Sequence, residues 1–125
     1  MQTFESNKAP QALGPYSQAV RTGDILFCSG QLGMNRETGV LEEGIEAQTK
    51  QAFKNISYVL EEAGLKMKDI VKVLVLLADI EDFQTVNGLY AEQFTEPYPA
   101  RSAFAVKDLP SGAKIEIEVI ASYQN

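Results

Sequence analysis

The sequence predicts an α+β domain in which one mixed sheet carries two helices on a single face. Three observations predict it. Strand-like runs open and close the chain, and two stretches between them switch to helical spacing. The resulting order, β-β-α-β-α-β-β, groups strands around helices rather than alternating them regularly. Finally, 125 residues form one domain, taken here as 1–125, with room for a proper core.

Each element has its own signal. "QALGPYSQAVRTGDILFCSGQL" reads as two short strands around a turn at Thr22 to Asp24. In the second of them Phe27 and Ser29 share one side, Leu26 and Cys28 the other. A short extra strand fits "QTFES", and "NRETGVLEEG" reads as a polar loop or hairpin tip. From Ile45 the apolar residues Ala52, Ile56, Val59, Leu60 and Ala63 recur at helical spacing, and Gly64 stands where a helix C-terminus favours glycine. "DIVKVLVLLAD" is apolar on both faces apart from Lys72, which predicts a fully buried strand. Phe83, Val86, Tyr90 and Phe94 form a second helical stripe, with Asp79 or Asp82 as its cap. "RSAFAV" and "KIEIEVIASY" then close the sheet, joined by "KDLPSGA". Two helices cannot cover both faces of such a sheet, so self-association is expected.

Composition removes several function classes. Forty-five per cent of the residues are apolar and 22% charged, as in ordinary globular chains. No apolar run approaches the ~20 residues of a membrane span. "MQTFESNKAP" lacks the basic and apolar blocks of a signal peptide, so the expected location is the cytoplasm. A net charge of −6, with eleven basic residues scattered from Lys8 to Lys114, argues against a nucleic-acid partner. There is no histidine and a single cysteine. That excludes an internal disulfide, a cysteine-rich zinc site and any His-based triad. No cofactor and no metal are expected, and proton chemistry falls to carboxylates, tyrosine, lysine, backbone or water.

"EPYPARSAFAV" holds the leading candidate, because two prolines deliver Arg101 to the mouth of an apolar strand. A guanidinium there is either paired with the glutamates of "KIEIE" or presents its planar fork to a ligand carboxylate. Glu116 and Glu118 alternate with Ile115, Ile117 and Val119. They form either a solvated sheet face or, beside the arginine, a small polar pocket in which one carboxylate positions a water. Tyr16 follows a Gly-Pro turn, where it packs or reaches a ligand. Ser29 adjoins Gly30, whose missing side chain allows close approach to the backbone. Asn87 lies on or beside the apolar stripe of its helix and needs a hydrogen-bond partner, structural or ligand. Cys28 reads as an inert core thiol.

Together, "APQALGPYSQAV", "CSGQLGMN", "AQTKQAFKNISYVLEEAGL", "DIVKVLVLLADIEDFQTVNGLYAEQF", "PARSAF" and "KIEIEVIA" resemble the YjgF/RidA family, in the family's order and over nearly the whole chain. The resemblance implies a chorismate-mutase-like fold assembled as a homotrimer, with three clefts between subunits. The implied activity is hydrolytic deamination of reactive 2-imino acids, or their enamine tautomers, to 2-oxo acids and ammonia. Its substrates would be 2-iminobutanoate and 2-iminopropanoate, released by pyridoxal-phosphate enzymes such as threonine dehydratase. By the same resemblance Arg101 binds the substrate carboxylate and Glu116 positions or activates the attacking water. Tyr16, Ser29 and Gly30 line the cleft, Asn87 lies close to it, and Ala103 contributes backbone. One departure concerns the strand after the arginine. Deaminating members commonly read "PARSCV", whereas this chain has Ala103 and Phe104, which removes any thiol role and can reshape the pocket.

An imino acid is already electrophilic, so orienting it and a water suffices, and neither metal nor strong nucleophile is needed. Rival readings are a trimeric module that binds a small acid without turnover, an endoribonuclease or translation inhibitor, and a holdase-like chaperone. Glu116 separates enzyme from binder, since a binder of anions gains little from a second carboxylate.

Overall fold

The computed structural model describes residues 1–124. Seven strands form one mixed sheet: β1 (Gln2–Phe4), β2 (Ala19–Thr22), β3 (Ile25–Cys28), β4 (Gln31–Leu32), β5 (Ile70–Leu77), β6 (Ala100–Ala105) and β7 (Ile115–Ser122). Helices α1 (Gly44–Glu62) and α2 (Phe83–Ala91) lie between β4 and β5 and between β5 and β6. The strand order is β1-β2-β3-β7-β5-β6, with β4 also paired to β7. Only β5 and β6 run parallel, as their crossover through α2 requires. "QTFES" therefore does contribute a strand, and the sequence order is as expected save for the two-residue β4.

Alternation on β7 shows how the sheet divides. Ile115, Ile117, Val119 and Ala121 are buried, while Glu116, Glu118, Ile120 and Ser122 point to the opposite face. Val73, Val75 and Leu77 of β5 and Leu26 and Cys28 of β3 join the buried set, against Phe53, Ile56, Val59 and Leu60 of α1. Burying one such side chain contributes about 1.5–3 kcal/mol. On α2, Tyr90 meets Phe53 edge-on, at 6.0 Å between ring centroids, which puts both helices on that face.

Helix α1 stops where Gly64 adopts φ +80. Leu65 N–H then donates to Leu60 O and Gly64 N–H to Glu61 O, at 2.8 and 3.0 Å. This is a Schellman ending, which glycine tolerates without strain. The second helix differs from its stripe: a 3-10 turn at Ile80–Asp82, capped by Asp79, precedes it, and Phe94 lies beyond its end. "NRETGVLEEG" is a hairpin tip, closed by a Met34–Leu41 bridge and an Asn35 N–H to Val40 O bond.

β5 corrects one expectation. Its inner residues are buried, yet Val71 is 40% exposed and Leu74 and Leu76 are only half-buried. Both helices sit on the other side, so the chain leaves this face uncovered. Phe27 and Phe104, 47% and 48% exposed, belong to the same open face.

Candidate functional site

A single extra residue shapes the first group of candidates. Phe27 pairs with Ile120 and Gln31 with Ile117, so four steps along β3–β4 oppose three along β7. The surplus falls at Ser29–Gly30 and makes a β-bulge, a device that re-aims side chains. Inward-facing residues change parity across it, from Leu26 and Cys28 to Gln31. The bulge is pinned locally: Ser29 N–H donates to Gln18 O at 2.9 Å and Ser29 Oγ to Ser17 O at 2.6 Å. Gln18, buried, also accepts from Ser6 N–H and donates to Pro10 O, which ties the segment before Tyr16 to this place.

Glu116 reaches over the bulge. A Cβ built on Gly30 would collide with Glu116 Oε2 and lie 2.9 Å from its Cδ. Only glycine leaves room for that carboxylate. Burial, then the neighbouring charge of Glu118, raises the Glu116 pKa above the ordinary carboxylate value. Tyr16, 52% exposed, and Gly30 share a recess of about 280 Å³ with Gln31, Leu32, Pro110 and Ser111. Tyr16, Ser29, Gly30 and Glu116 are therefore brought together.

This geometry separates two glycines by effect. Gly30→Ala should leave the fold almost intact, because the atoms it meets are the end of a flexible side chain, while displacing the Glu116 carboxylate. By contrast, the Cβ of Gly33→Ala would run into the Gln48 backbone on α1. That variant should lose about 1–3 kcal/mol of stability. Thermal melts of the two variants check the pair: only Gly33→Ala should shift the midpoint by several degrees.

Arg101 stands elsewhere. It pairs with Val73, whose side chain is buried beneath the helices, and so points to the helix face. Its Nη1 donates to Asn87 Oδ1 at 2.7 Å, and its Cζ lies 4.7 Å from the Tyr90 ring centroid and 5.4 Å from that of Phe83. The ion pairs of the described residues, Lys8–Glu61 and Lys50–Glu46, involve neither Arg101 nor the glutamates of β7. The pairing of Arg101 with "KIEIE" is thus not made. Arg101 borders an open recess of about 430 Å³ with Asn87, Tyr90, Ala91, Tyr98 and Pro99. Asn87 is exposed at the margin of its stripe rather than buried, and its partner is Arg101. Ala103 shares the helix face and packs on the core, while Phe104 points to the open face.

The two groups do not meet within one chain. Arg101 is level with Val73 and Glu116 with Leu76, on opposite faces and with β5 between their strands. That separates them by about 10 Å along the strands and about 10 Å across them. No small acid bridges such a gap through a sheet.

Sequence reasoning took Tyr90 as a core stripe residue and passed over Tyr98, both of which line the arginine's recess. The signal for Tyr90 was its spacing of three from Asn87. Burial raises the Tyr90 pKa above the usual phenol value, against a smaller lowering by Arg101. Cys28 is buried, and desolvation followed by the Glu118 charge pushes its thiol up to about 12. The thiolate is the reacting form, so the native protein should stay unlabelled by iodoacetamide at neutral pH and label once denatured, as mass spectrometry would show. Among the described residues no helix is long and apolar enough to cross a membrane, and no group of three or more His, Cys, Asp or Glu is placed to hold a metal ion.

Known proteins share this arrangement of elements. The structure superimposes on RidA from the Antarctic bacterium Psychrobacter sp. PAMC 21119 with a TM-score of 0.95, at 46% identity over 98% of this chain and 99% of that one. It also matches E. coli TdcF with bound serine, at TM-score 0.93 and 37% identity over 98% of each chain. The human 2-iminobutanoate/2-iminopropanoate deaminase is 48% identical over 115 residues, 91% of this chain and 84% of that protein. The family described as Endoribonuclease L-PSP matches residues 6–123, and with that match over nearly its whole length the chain belongs to this family, the YjgF/RidA family.

Proposed function

We propose that the protein hydrolyses reactive 2-imino acids, 2-iminobutanoate and 2-iminopropanoate among them, to 2-oxo acids and ammonia. The reaction takes place in clefts between the subunits of a cytoplasmic homotrimer. Arg101 and Asn87 of one subunit face Tyr16, Ser29, Gly30 and Glu116 of the next. The observation that carries this reading is the Arg101 guanidinium, held by Asn87 at the edge of a recess with no carboxylate of the described residues paired to it. The name of the human relative supports the substrate class.

Two complementary half-sites on different surfaces of one chain suit head-to-tail contacts, which close into rings. The uncovered sheet face, with Phe27, Leu74, Leu76 and Phe104, supplies apolar surface for such contacts. In the cleft Arg101 binds the substrate carboxylate bidentately. Glu116 orients a water toward the imine carbon and takes its proton as the C–O bond forms. The C=N π pair moves to nitrogen, which takes that proton back from Glu116 to give a carbinolamine. Glu116 then removes the hydroxyl proton and hands it to nitrogen as C=O forms, the C–N bond breaks and ammonia leaves the 2-oxo acid. Each step needs only the substrate, water and a carboxylate in place. A net charge of −6, with basic residues scattered along the sequence, weighs against a nucleic-acid substrate.

The test is the rate of ammonia release from 2-iminobutanoate generated in situ by a threonine-consuming dehydratase. Added protein should exceed the buffer rate and be trimeric by light scattering. A rate equal to buffer would sink the reading. The serine-bound TdcF favours a second one, capture of a small amino or oxo acid without turnover. In that case ligand binding would persist while ammonia release stayed at the buffer rate.

A further inference from the structure

Arg101 is long, exposed and at the edge of a sheet, a setting in which a guanidinium ordinarily samples many rotamers. Here its inner side is occupied by one face of α2. Phe83, Asn87 and Tyr90 are spaced by four and three residues, so they rise in a row along that face. Asn87 accepts from Nη1 at the row's centre, and the two rings stand 5.4 and 4.7 Å from Cζ. Both distances are within the range of a cation–π contact.

Of the two rings, Tyr90 is the more deeply buried. It is 7% exposed, packs edge-on against Phe53, and lies at 4.7 Å and a 43° tilt from Phe94. Its hydroxyl is buried and finds no hydrogen-bond partner among the described residues. An unpartnered buried hydroxyl is a burden on stability. Among the described residues the hydroxyl thus makes no hydrogen bond that would explain the residue, whereas the ring face meets Arg101.

We propose that Tyr90 is a positioning residue whose ring face, fixed in the core by Phe53 and Phe94, sets the orientation in which Arg101 presents its fork to an organic carboxylate. The inference rests on the proposed role of Arg101 as carboxylate ligand. One of the five guanidinium N–H groups is held by Asn87, which leaves an edge of the fork for the ligand. Ordering the side chain before the ligand arrives removes part of the entropy loss that binding would otherwise carry.

The experiment uses the full chain with tyrosine, phenylalanine or pentafluorophenylalanine at position 90. The last two share a shape, but fluorination reverses the electrostatics of the ring face. Calorimetry reads the binding of 2-oxobutanoate, a stable carboxylate, and steady-state assays read KM and kcat for the imine. Tyr90→Phe should keep the affinity within about twofold of wild type, and the fluorinated ring should weaken it about tenfold. The loss should fall on KM with kcat held, since the carboxylate is bound alike in ground and transition states. A purely structural Tyr90 would give the two phenyl variants equal affinity, which would overturn the proposal. So would Tyr90→Phe losing as much as the fluorinated ring, because the hydroxyl would then be the acting group. So would a wild type that fails to bind 2-oxobutanoate. A wild type that binds it but leaves the imine at its buffer rate overturns the hydrolase reading alone.

Discussion

Arg101→Ala is expected to lower kcat/KM for 2-iminobutanoate by about 10²- to 10³-fold, the usual scale for truncating one partner of a desolvated charge pair. Its melting temperature should hardly move, because Arg101 is exposed and its own contacts are one hydrogen bond and two ring faces. Arg101→Lys should recover only part of the loss, as an ammonium keeps the charge but lacks the fork. Light scattering on the same samples separates lost binding from lost assembly. The placement of the half-sites adds a sharper test. Arg101→Ala and Glu116→Gln chains, each inactive alone, should regain activity when unfolded together and refolded as a mixture. Roughly a quarter of the clefts would then combine an intact arginine with an intact glutamate. Mixtures that stay dead would place both residues in the same subunit's cleft, against the register.

Glu116→Gln is expected to cost about 10²- to 10³-fold in kcat and to make the protein more stable. Burial and Glu118 raise the folded-state pKa of Glu116, so its ionised form is disfavoured by folding. The sign follows. The group's favourable contribution is full below the unfolded carboxylate pKa and is lost as pH rises through the higher folded pKa. At neutral pH the wild type therefore carries a penalty that glutamine lacks, and the variant should melt higher there. Below the ordinary carboxylate range the two should melt together. Activity should mirror this, with the acid limb of the wild-type kcat/KM profile lying above the usual glutamate pKa and disappearing in the variant. Higher activity paired with lower stability is what a functional carboxylate in a half-buried place produces. Gly30→Ala, which moves the same carboxylate, should also lower kcat, by about 10²-fold.

Much of the fold was legible because its signals are local. Period-two runs marked β3 and β7, the stripe from Ala52 to Leu60 marked α1, and Gly64 marked its end. What stayed hidden depends on non-local pairing. No pattern within "CSGQL" announces that Ser29–Gly30 is a bulge, since the surplus residue exists only relative to β7. Nor does "DIVKVLVLLAD" disclose that one of its apolar faces is left uncovered by its own chain. The candidate residues were all visible as types, yet their distribution was not. Arg101 and the two glutamates read as neighbours along successive strands, until β5 inserted between β6 and β7 and put Glu116 on the other face.

The bulge has a consequence for how such a chain can change over generations. Because inside and outside exchange at Ser29–Gly30, gain or loss of one codon there acts as a half-turn on Gln31 and Leu32, while the preceding hairpin keeps its pairing. Most one-codon length changes in a strand scramble everything downstream. Here the first thing altered would be the floor under Glu116, and the shift would have to end before Gly33 and Met34, which the Gln48 backbone and the Asn55 side chain hold against α1.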